Sequence, residues 1–327
     1  KNLSFYNDLS KPNKIDQSIF IDGLEHNKLV FVNGRIEKIE FNYEEKSKIE
    51  ILDDLVLQKD RNNNNSLLSL NNAFANKYFK LIIKKNYSLK KPLVIYNIIS
   101  KDLVSQNINL NMDIQLEENS CLKLIDFFED KSKANFINIY YNFDVKKNSI
   151  LKNYKIDKKS NNNIKYFYNN VNQESNSIAE IFIFSSGSEF LKNEINCNLN
   201  GKYASAFING IFILNEAKHH EIKTNINHLI ENTKSYQLIK GVLEGKSKAV
   251  YQGKIFVNSK AQKTDGYQLS KAILLNDNTE FNAKPELEIY ADDVKCSHGS
   301  TSGNLDENSI FYLMSRGLSY KQSKELL

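Results

Sequence analysis

Cysteine is scarce in this chain, and the few thiols lie far apart. The 327 residues include only Cys121, Cys197 and Cys296, an odd number with no CxxC pair. A disulfide framework needs an even set at compatible spacings. The cysteine pattern therefore argues against disulfides and favours a reducing compartment.

Arginine is scarcer than the net charge of +5 suggests. The 44 basic residues face 39 acidic ones, and only Arg35, Arg61 and Arg316 are arginines. Arginine is the preferred side chain for bidentate contacts to phosphate and guanine. We therefore expect no nucleic-acid partner, and we attribute the many lysines and asparagines to an AT-rich coding sequence.

Long apolar runs and the common catalytic motifs are also missing. No run approaches the roughly 20 residues that span a bilayer, so we expect no membrane insertion. Neither a Walker A loop nor GxGxxG occurs, which predicts no nucleotide on this chain. The pair His220-Glu221 fails the HExxH pattern because Thr224 stands where the second histidine should be. "FSSGSEF" is not a GxSxG elbow.

The location follows from the same features. No signal peptide is visible, but the sequence begins with Lys1 rather than Met. We expect a cytoplasmic protein, or a plastid stromal one if a transit peptide has been removed.

The first third of the chain reads as mixed structure. Asn27 to Phe41 predicts a hairpin turning at Asn33-Gly34, and the polar run from Arg61 predicts a loop. Apolar residues at helical spacing predict a helix over Ser66 to Phe79. A strand follows Pro92.

From about Leu93 the chain reads as strands. Short runs rich in Ile, Phe, Tyr and Val recur, such as "INLNMDIQL", "FINIYYNFDV", "ASAFINGIFIL" and "AVYQGKIFV". This pattern predicts an all-β architecture and leaves a sandwich, a barrel and a β-helix open. Recurrent glycines fit a coil of short rungs with sharp corners. They are Gly201, Gly210, Gly241, Gly245, Gly253 and Gly266.

The end of the chain returns to helix. Asn304 is placed to cap a helix with Glu307 three residues later, and Gly317 is placed to end it. A second helix follows, with Ser319 as its cap and Gln322 at N3. Its apolar stripe is cut short at Leu327, so we expect that more sequence once followed.

"DDVKCSHGSTSG" (Asp292 to Gly303) holds the main candidate site. In an extended segment Cys296 and His298 share one face, and Ser297 lies on the other. A thiolate and an imidazole are good ligands for a soft or borderline metal, but a closed site takes about four ligands. The nearest carboxylates, Asp292 and Asp293, are harder donors. Spacing alone leaves both a structural and a metal-binding interpretation open.

The remaining histidines and cysteines are interpreted as structural. We expect His219, His220 and His228 to be surface or turn residues bonded to neighbours, some of them on a shared face. We expect His26 to be solvated. Cys121 and Cys197 lie in alternating apolar runs and are predicted to be small buried hydrophobes.

Three segments resemble the SufB/SufD family of the SUF iron–sulfur cluster assembly system, in the form found in its SufD branch. They are "KPELEIYADDVKCSHGSTSGNLDENSIFYLMSRGL" (Lys284 to Leu318), "GVLEGKSKAVYQGKIFVNSKAQKTDGYQLSKAILL" (Gly241 to Leu275) and "LVFVNGRI" (Leu29 to Ile36). The resemblance implies a right-handed parallel β-helix with helical parts at both ends. It divides the chain into an N-terminal mixed region (1–92), a β-helix core (93–303) and the start of a truncated C-terminal helical region (304–327).

The resemblance also implies a function. The chain would be a non-catalytic scaffold subunit of a SufB–SufC–SufD complex that supports iron acquisition. The ATPase SufC would dock on the C-terminal helical region, and SufB would pair through its own β-helix. His298 and Cys296 would be half of a site for a nascent, transient iron–sulfur cluster completed by SufB. The complex would also be a candidate to bind reduced flavin.

The sequence leaves two alternative functions open. Parallel β-helices also act on polysaccharides, and Asp292, Asp293 and Asp265 are candidate groove carboxylates for such an enzyme. The other alternative is a SufD-like homodimer that binds metal or flavin alone.

Overall fold

A computed structural model describes residues 17–55, 65–75, 78–101, 103–130, 132, 135–157 and 163–327. The polar run at 61–64, predicted to be a loop, lies outside the described residues. One-turn 3-10 helices occur at Gln17–Ile19 and Lys46–Lys48.

The predicted first hairpin is confirmed. β1 (Asn27–Val32) pairs antiparallel with β2 (Arg35–Glu40). Asn33 and Gly34 form the turn with φ of 51° and 80°. Two successive residues in the left-handed region favour Asn-Gly, because both residues tolerate positive φ better than most. β3 (Ile49–Leu55) follows.

The first helix is shorter than predicted. α1 spans Ser66–Phe74, and Asn65 caps it by accepting from the amides of Leu67 and Leu68 at 3.0 and 3.1 Å. The prediction over Ser66 to Phe79 is wrong at its end, because β4 begins at Tyr78 and runs to Ile83. Phe74 and Tyr78 are four residues apart, and this spacing also fits one face of a strand. The pattern therefore did not distinguish a helix from a strand at this point.

The rest of the core consists of strands about ten residues long. They are β5 (Leu93–Ile99), β6 (Asn107–Leu116), β7 (Cys121–Asp130), β8 (Phe136–Val145), β9 (Ile150–Asp157), β10 (Ile164–Gln173), β11 (Ile178–Ser185), β12 (Phe190–Leu199), β13 (Ser205–Leu214), β14 (His219–His228), β15 (Lys234–Leu243), β16 (Lys248–Val257), β17 (Thr264–Leu274), β18 (Glu280–Ile289) and β19 (Val294–Asn304).

Successive strands alternate between two sheets. Among the described residues, sheet 1 has the order β19-β17-β15-β13-β11-β9-β7-β5-β1-β2, and sheet 2 has the order β18-β16-β14-β12-β10-β8-β6-β4-β3. From β4 and β5 onward all neighbours within a sheet are parallel. The chain therefore winds as a parallel β-helix, which confirms the predicted fold and decides among the three all-β architectures.

Alternation within each strand builds the core. In β13 and β14 every second residue is buried. Within sheet 1, the buried residues of β13 stack in register on those of β15. Side chains such as Ile208, Ile222 and Ile226 fill the space between the two sheets. Burial of this continuous apolar column is the main stabilising term.

Two ion pairs lie inside the coil. Lys155 Nζ is 2.8 Å from Asp126 Oδ2, and Lys165 Nζ is 2.7 Å from Asp157 Oδ1. All four side chains are buried. Ser188 donates to Asp157 Oδ2 from both its amide and its hydroxyl, which satisfies more of the buried carboxylate.

The glycines are placed differently from the prediction. Of the six glycines predicted to lie at corners, Gly201 and Gly245 lie in turns or bends. The other four, Gly210, Gly241, Gly253 and Gly266, lie inside strands. A Cβ at Gly210 would meet Ile222 at 2.9 Å and Ile239 at 3.0 Å. These mid-strand glycines therefore make room for large neighbours inside the coil rather than forming its corners.

Asparagine, rather than glycine, occupies many of the turn positions with positive φ. Asn119, Asn148 and Asn176 occupy turns with φ of 57–59°. Asn148 Nδ2 donates to Asn119 Oδ1 at 2.8 Å, and Asn119 Nδ2 donates to Asn86 Oδ1 at 2.7 Å. Part of the asparagine content thus forms ladders between successive coils, which the attribution to coding bias did not anticipate.

The C-terminal helices are confirmed with one correction. α2 spans Glu307–Ser315 and is capped by Asp306, not by Asn304, because β19 continues through Asn304. α3 spans Tyr320–Leu326 and has the predicted capping box of Ser319 and Gln322. Gly317 has φ of 97°, as its position after α2 predicts. No helix in the described part of the chain is long and apolar enough to cross a membrane.

Candidate functional site

The Cys-Ser-His segment lies on β19, the last strand of sheet 1. β19 pairs with β17 on one side, and no described strand pairs with its other edge. Cys296 stacks on Gly266, and His298 stacks on Gln268. Because Gly266 and Gln268 face the inside of the coil, Cys296 and His298 share that inward face, and Ser297 faces outward.

Cys296 lies in a small apolar cluster at the end of the coil. Like Leu287 and Val294, it is partly buried against a cluster that includes Ile255 and Val257. Burial raises the pKa of the Cys296 thiol above its ordinary value, the backbone hydrogen bond from Gly266 lowers it, and the Asp265 carboxylate raises it further. The thiol is therefore protonated at neutral pH, and a bound metal would have to displace its proton.

His298 is exposed, whereas the layer beneath it is buried. Gln268 donates from Nε2 to the Glu286 carbonyl at 3.2 Å, and its Oε1 accepts from the Tyr251 hydroxyl at 3.3 Å. The same hydroxyl lies 3.3 Å from Gln237 Oε1. The imidazole thus stands at the open end of the coil, above a fixed polar layer, where another molecule can reach it.

The neighbouring carboxylates do not complete a metal site. Asp292 and Asp293 are exposed in the turn before β19, and Asp265 lies on the outer face of β17. Within the described ranges, no three His, Cys, Asp or Glu side chains come together as metal ligands. Cys296 and His298 remain a pair of ligands from one strand, and their ligand role stays a prediction.

A polar cleft of about 670 Å³ opens beside the same end of the coil. Ser300 and Ser302 line it from β19, and His219, Glu221 and Lys248 line it from sheet 2. His219 Nε2 lies 3.2 Å from Glu221 Oε1. Ser300 is held by Ser270, whose hydroxyl donates to it at 2.9 Å.

The other histidines are more buried than predicted. His220 contacts Ser185 Oγ at 2.8 Å and the Ser188 carbonyl at 2.7 Å. His228 contacts the hydroxyls of Thr233 and Ser235 at 2.7 and 2.9 Å. Both rings face inward on β14, so the expectation of surface or turn residues is wrong for them. Burial lowers the pKa of each to about 4.

His26 is also buried, and the expectation that it is solvated is wrong. Its ring contacts the Leu24 carbonyl at 2.6 Å and the Tyr96 hydroxyl at 2.8 Å. The N-terminal segment lays it against sheet 1, a long-range contact that the local polar sequence does not indicate.

Of the two cysteines predicted to be small buried hydrophobes, Cys197 is buried and Cys121 is only half-buried. Cys197 is buried, donates to Gln173 Oε1 at 3.2 Å, and has its pKa raised to about 12 by burial. Cys121 is half-buried at the start of β7, and burial raises its pKa as well.

Gln268 and Ser270 are the site residues that sequence reasoning missed. In "TDGYQLS" the polar side chains of Thr264, Gln268 and Ser270 face inward, and the larger apolar ones of Tyr267 and Leu269 face outward. This is the reverse of the usual strand pattern. That inverted alternation was the available signal.

The fold and the site define a class: a parallel β-helix whose last strand presents a thiol and an imidazole at an open edge. Residues 99–327 match the family model described as "SUF system FeS cluster assembly, SufBD core domain". This match covers more than half of the chain, and the chain belongs to that family.

Individual relatives agree with the family. The chain is 28% identical over 310 residues to the iron-sulfur cluster assembly protein SufD of Escherichia coli (strain K12), covering 93% of this chain and 73% of that protein. It is 28% identical over 222 residues to the chloroplastic protein ABCI7 of Arabidopsis thaliana, covering 67% and 47%. A SufBD family protein of Synechocystis sp. is 43% identical over 91 residues, covering 28% and 20%.

Proposed function

We propose that this chain is a non-catalytic scaffold subunit of a SufB–SufC–SufD complex that assembles nascent iron–sulfur clusters. The family match and the likeness to a protein named SufD support the assembly role. Within that role, the chain would act by presenting ligands and by holding partners together, including during iron acquisition.

The placement of Cys296 and His298 carries the proposal. They share one face of a terminal strand whose outer edge has no described partner. Two ligands are too few for a closed site, which takes about four. A half-site completed by ligands from SufB has the correct number and releases its cargo when the subunits separate. A thiolate and an imidazole are also the donor types that suit iron–sulfur chemistry.

The partners are assigned to different parts of the molecule. SufB would pair at the open end of the coil. SufC would dock at the C-terminal helices, where Phe311, Tyr312 and Leu326 are exposed apolar side chains. ATP would bind SufC and not this chain, and reduced flavin is a candidate cofactor of the whole complex. The complex would work in the cytoplasm, or in the plastid stroma.

The test is anaerobic cluster reconstitution on the co-purified complex of this chain with SufB and SufC, followed by visible absorption. His298→Ala is expected to reduce cluster absorption at least fivefold, and Cys296→Ala to reduce it less. Ser297→Ala, one residue away on the opposite face, is the matched control and should leave absorption unchanged. Unimpaired cluster formation in His298→Ala would refute the ligand role.

Size-exclusion chromatography with and without SufB separates the proposal from a self-sufficient homodimer. We expect a stable heteromeric complex with SufB, and no cluster on the chain alone. A homodimer that acquires a cluster without SufB would contradict the half-site.

A further inference from the structure

The outer faces of the two sheets differ in chemistry. On sheet 2, lysines of successive strands are neutralised by glutamates: Lys192 with Glu221 at 3.2 Å, Lys223 with Glu194 at 2.6 Å, and Lys248 with Glu280 at 3.0 Å. On sheet 1, the outer positions from β9 to β17 are mainly apolar and aromatic, although they include one ion pair, Lys152 with Glu180 at 2.8 Å. We call this surface the sheet 1 outer face.

The apolar side chains of the sheet 1 outer face form rows across the strands. One row consists of Tyr154, Phe182, Asn209, Leu238 and Leu269, so it is apolar except at Asn209. In the next row the rings of Tyr236 and Tyr267 are stacked with centroids 5.2 Å apart. Five strands about 4.8 Å apart and some seven residues along each give a patch of roughly 400 Å². Exposed surfaces that are mainly apolar over several hundred Å² are often interaction sites.

The N-terminal segment of the chain covers the first part of the same face. At β1, β5 and β7 the segment containing Phe20 and Ile21 lies on it, and Ile21 donates from its amide to the Tyr96 hydroxyl at 3.0 Å. Phe127, under this cover, is 4% exposed, whereas Phe182, two strands further on, is 36% exposed. Ile156 joins the covered cluster to the uncovered rows. In the part of the chain that the structure describes, the rows from β9 to β17 have no such cover, and they continue the surface on which Phe20 and Ile21 pack.

The charges on this face select the partner. Lys240 and Lys271 are register neighbours on β15 and β17, and both are exposed. Among the described residues neither has an ion-pair partner. Like charges on directly adjacent strands are unfavourable, and a carboxylate from outside would relieve them. The outer positions from β9 to β17 carry four lysines (Lys152, Lys234, Lys240 and Lys271) but only two carboxylates (Glu180 and Asp265). A second copy of this net positive face would repel it, so self-association through it is disfavoured.

We propose that the sheet 1 outer face docks an amphipathic helix of a partner protein, with an apolar stripe over the aromatic rows and carboxylates reaching Lys240 and Lys271. α1 shows that a helix can pack across the strands of this coil, because it lies over β6 and β8 on the outside of sheet 2 and buries Leu68. The patch matches a helix about 10 Å wide and roughly 15 residues long.

The test uses a defined probe: a fluorescent 18-residue helical peptide with a leucine stripe and glutamates on both flanks. Its matched control replaces each glutamate with lysine. Fluorescence anisotropy should show the acidic peptide binding at least tenfold more tightly than the basic one, with affinity falling as salt rises. Equal affinity, or no binding of either peptide, would overturn the proposal.

Variants locate the site. Lys240→Glu with Lys271→Glu should reverse the preference between the two peptides, and Leu238→Gln should weaken binding of the acidic peptide about tenfold. Lys246→Glu makes the same charge change in an exposed turn and should have little effect. The double lysine variant keeps the test decisive if Leu238→Gln does not fold, because its exposed positions tolerate charge. Binding that none of these variants alters would overturn the assignment to this face.

Two other occupants would overturn the proposal. Co-sedimentation with phosphatidylglycerol vesicles, without preference for the acidic peptide, would assign the face to a lipid surface. Sedimentation velocity showing a dimer that Leu238→Gln dissociates would assign it to a second copy of the chain.

Discussion

Lys155 Nζ lies 2.8 Å from Asp126 Oδ2 inside the β-helix, where both side chains are buried. The carboxylate also accepts from Asn97 Nδ2 at 2.8 Å and from the Tyr141 hydroxyl at 3.1 Å. Removing one member of such a pair leaves the other charge buried without a counter-charge, which is strongly destabilising. The stability of single and double variants therefore tests the pair.

Removing only the carboxylate should destabilise the protein strongly. Asp126→Ala leaves the Lys155 ammonium buried without its counter-charge, and we expect a loss of about 3–5 kcal/mol in the free energy of unfolding. The double variant Asp126→Leu with Lys155→Met removes both charges and should lose less than Asp126→Ala. Urea denaturation followed by circular dichroism measures both.

The matched control lies on the same strand but on its outer face. Lys152 pairs with Glu180 at 2.8 Å near the surface, and Glu180→Ala should cost less than about 1 kcal/mol. Similar losses for Asp126→Ala and Glu180→Ala would contradict the distinction between buried and exposed pairs.

The buried histidines should make stability fall in mild acid. Burial lowers the pKa of His228 to about 4, below its unfolded value of about 6.5. Between these values the unfolded chain binds the proton and the folded chain does not, so stability is fully present above pH 6.5 and is lost towards pH 4. We expect His228→Gln to flatten the dependence of the urea midpoint on pH over this window.

Asn225→Gln is the control for this experiment, because Asn225 lies on the outer face of the same strand and carries no titratable group. It should leave the pH dependence nearly unchanged. If His228→Gln retains the wild-type slope between pH 6.5 and pH 4, His228 is not a source of the acid sensitivity.

Gly253 should not tolerate a side chain. A Cβ there would lie 2.3 Å from Gln268 Oε1 and 2.3 Å from the Tyr251 hydroxyl, in the polar layer beneath His298. We expect Gly253→Ala to cost about 1–3 kcal/mol through overpacking. Gly303→Ala is the control, since a Cβ at Gly303 meets nothing within 4 Å, and its urea midpoint should stay near that of wild type. Equal midpoints for the two variants would show that the layer can move aside.

The thiols should differ in reactivity. Cys197 is buried with its pKa raised to about 12, so iodoacetamide at pH 8 should leave it unmodified in the folded chain and alkylate it after unfolding. Peptide mass spectrometry reads each site separately. Half-buried Cys121 is the internal comparison and should be alkylated faster. Equal rates in the folded chain would contradict the burial of Cys197.

Much of the local structure was predictable because its causes are local. Asn33-Gly34 sets its own turn through tolerance of positive φ, and Ser319 with Gln322 closes a capping box within one turn. The shared face of Cys296 and His298 follows from strand alternation once their segment is extended, and the pairing of β19 with β17 makes it extended.

The errors arose where the cause lies in another coil. Gly210 and Gly253 looked like corners because sequence shows a glycine but not the Ile222 or Gln268 that occupies its space. His26 looked solvated because Tyr96, its partner, is 70 residues away.

Local sequence thus specifies the strands, the turns, the caps and, once their segment is extended, the shared face of Cys296 and His298. Tertiary structure decides what that face meets. Gln268 lies beneath His298 because β17 and β19 pair in parallel, and every residue of β17 pairs with the residue 30 positions later in the chain. The coil also separates a charge-neutralised outer face from an apolar one. Register and sheet membership are properties of the whole winding chain, since each coil is positioned by the one before it, and no single segment encodes them.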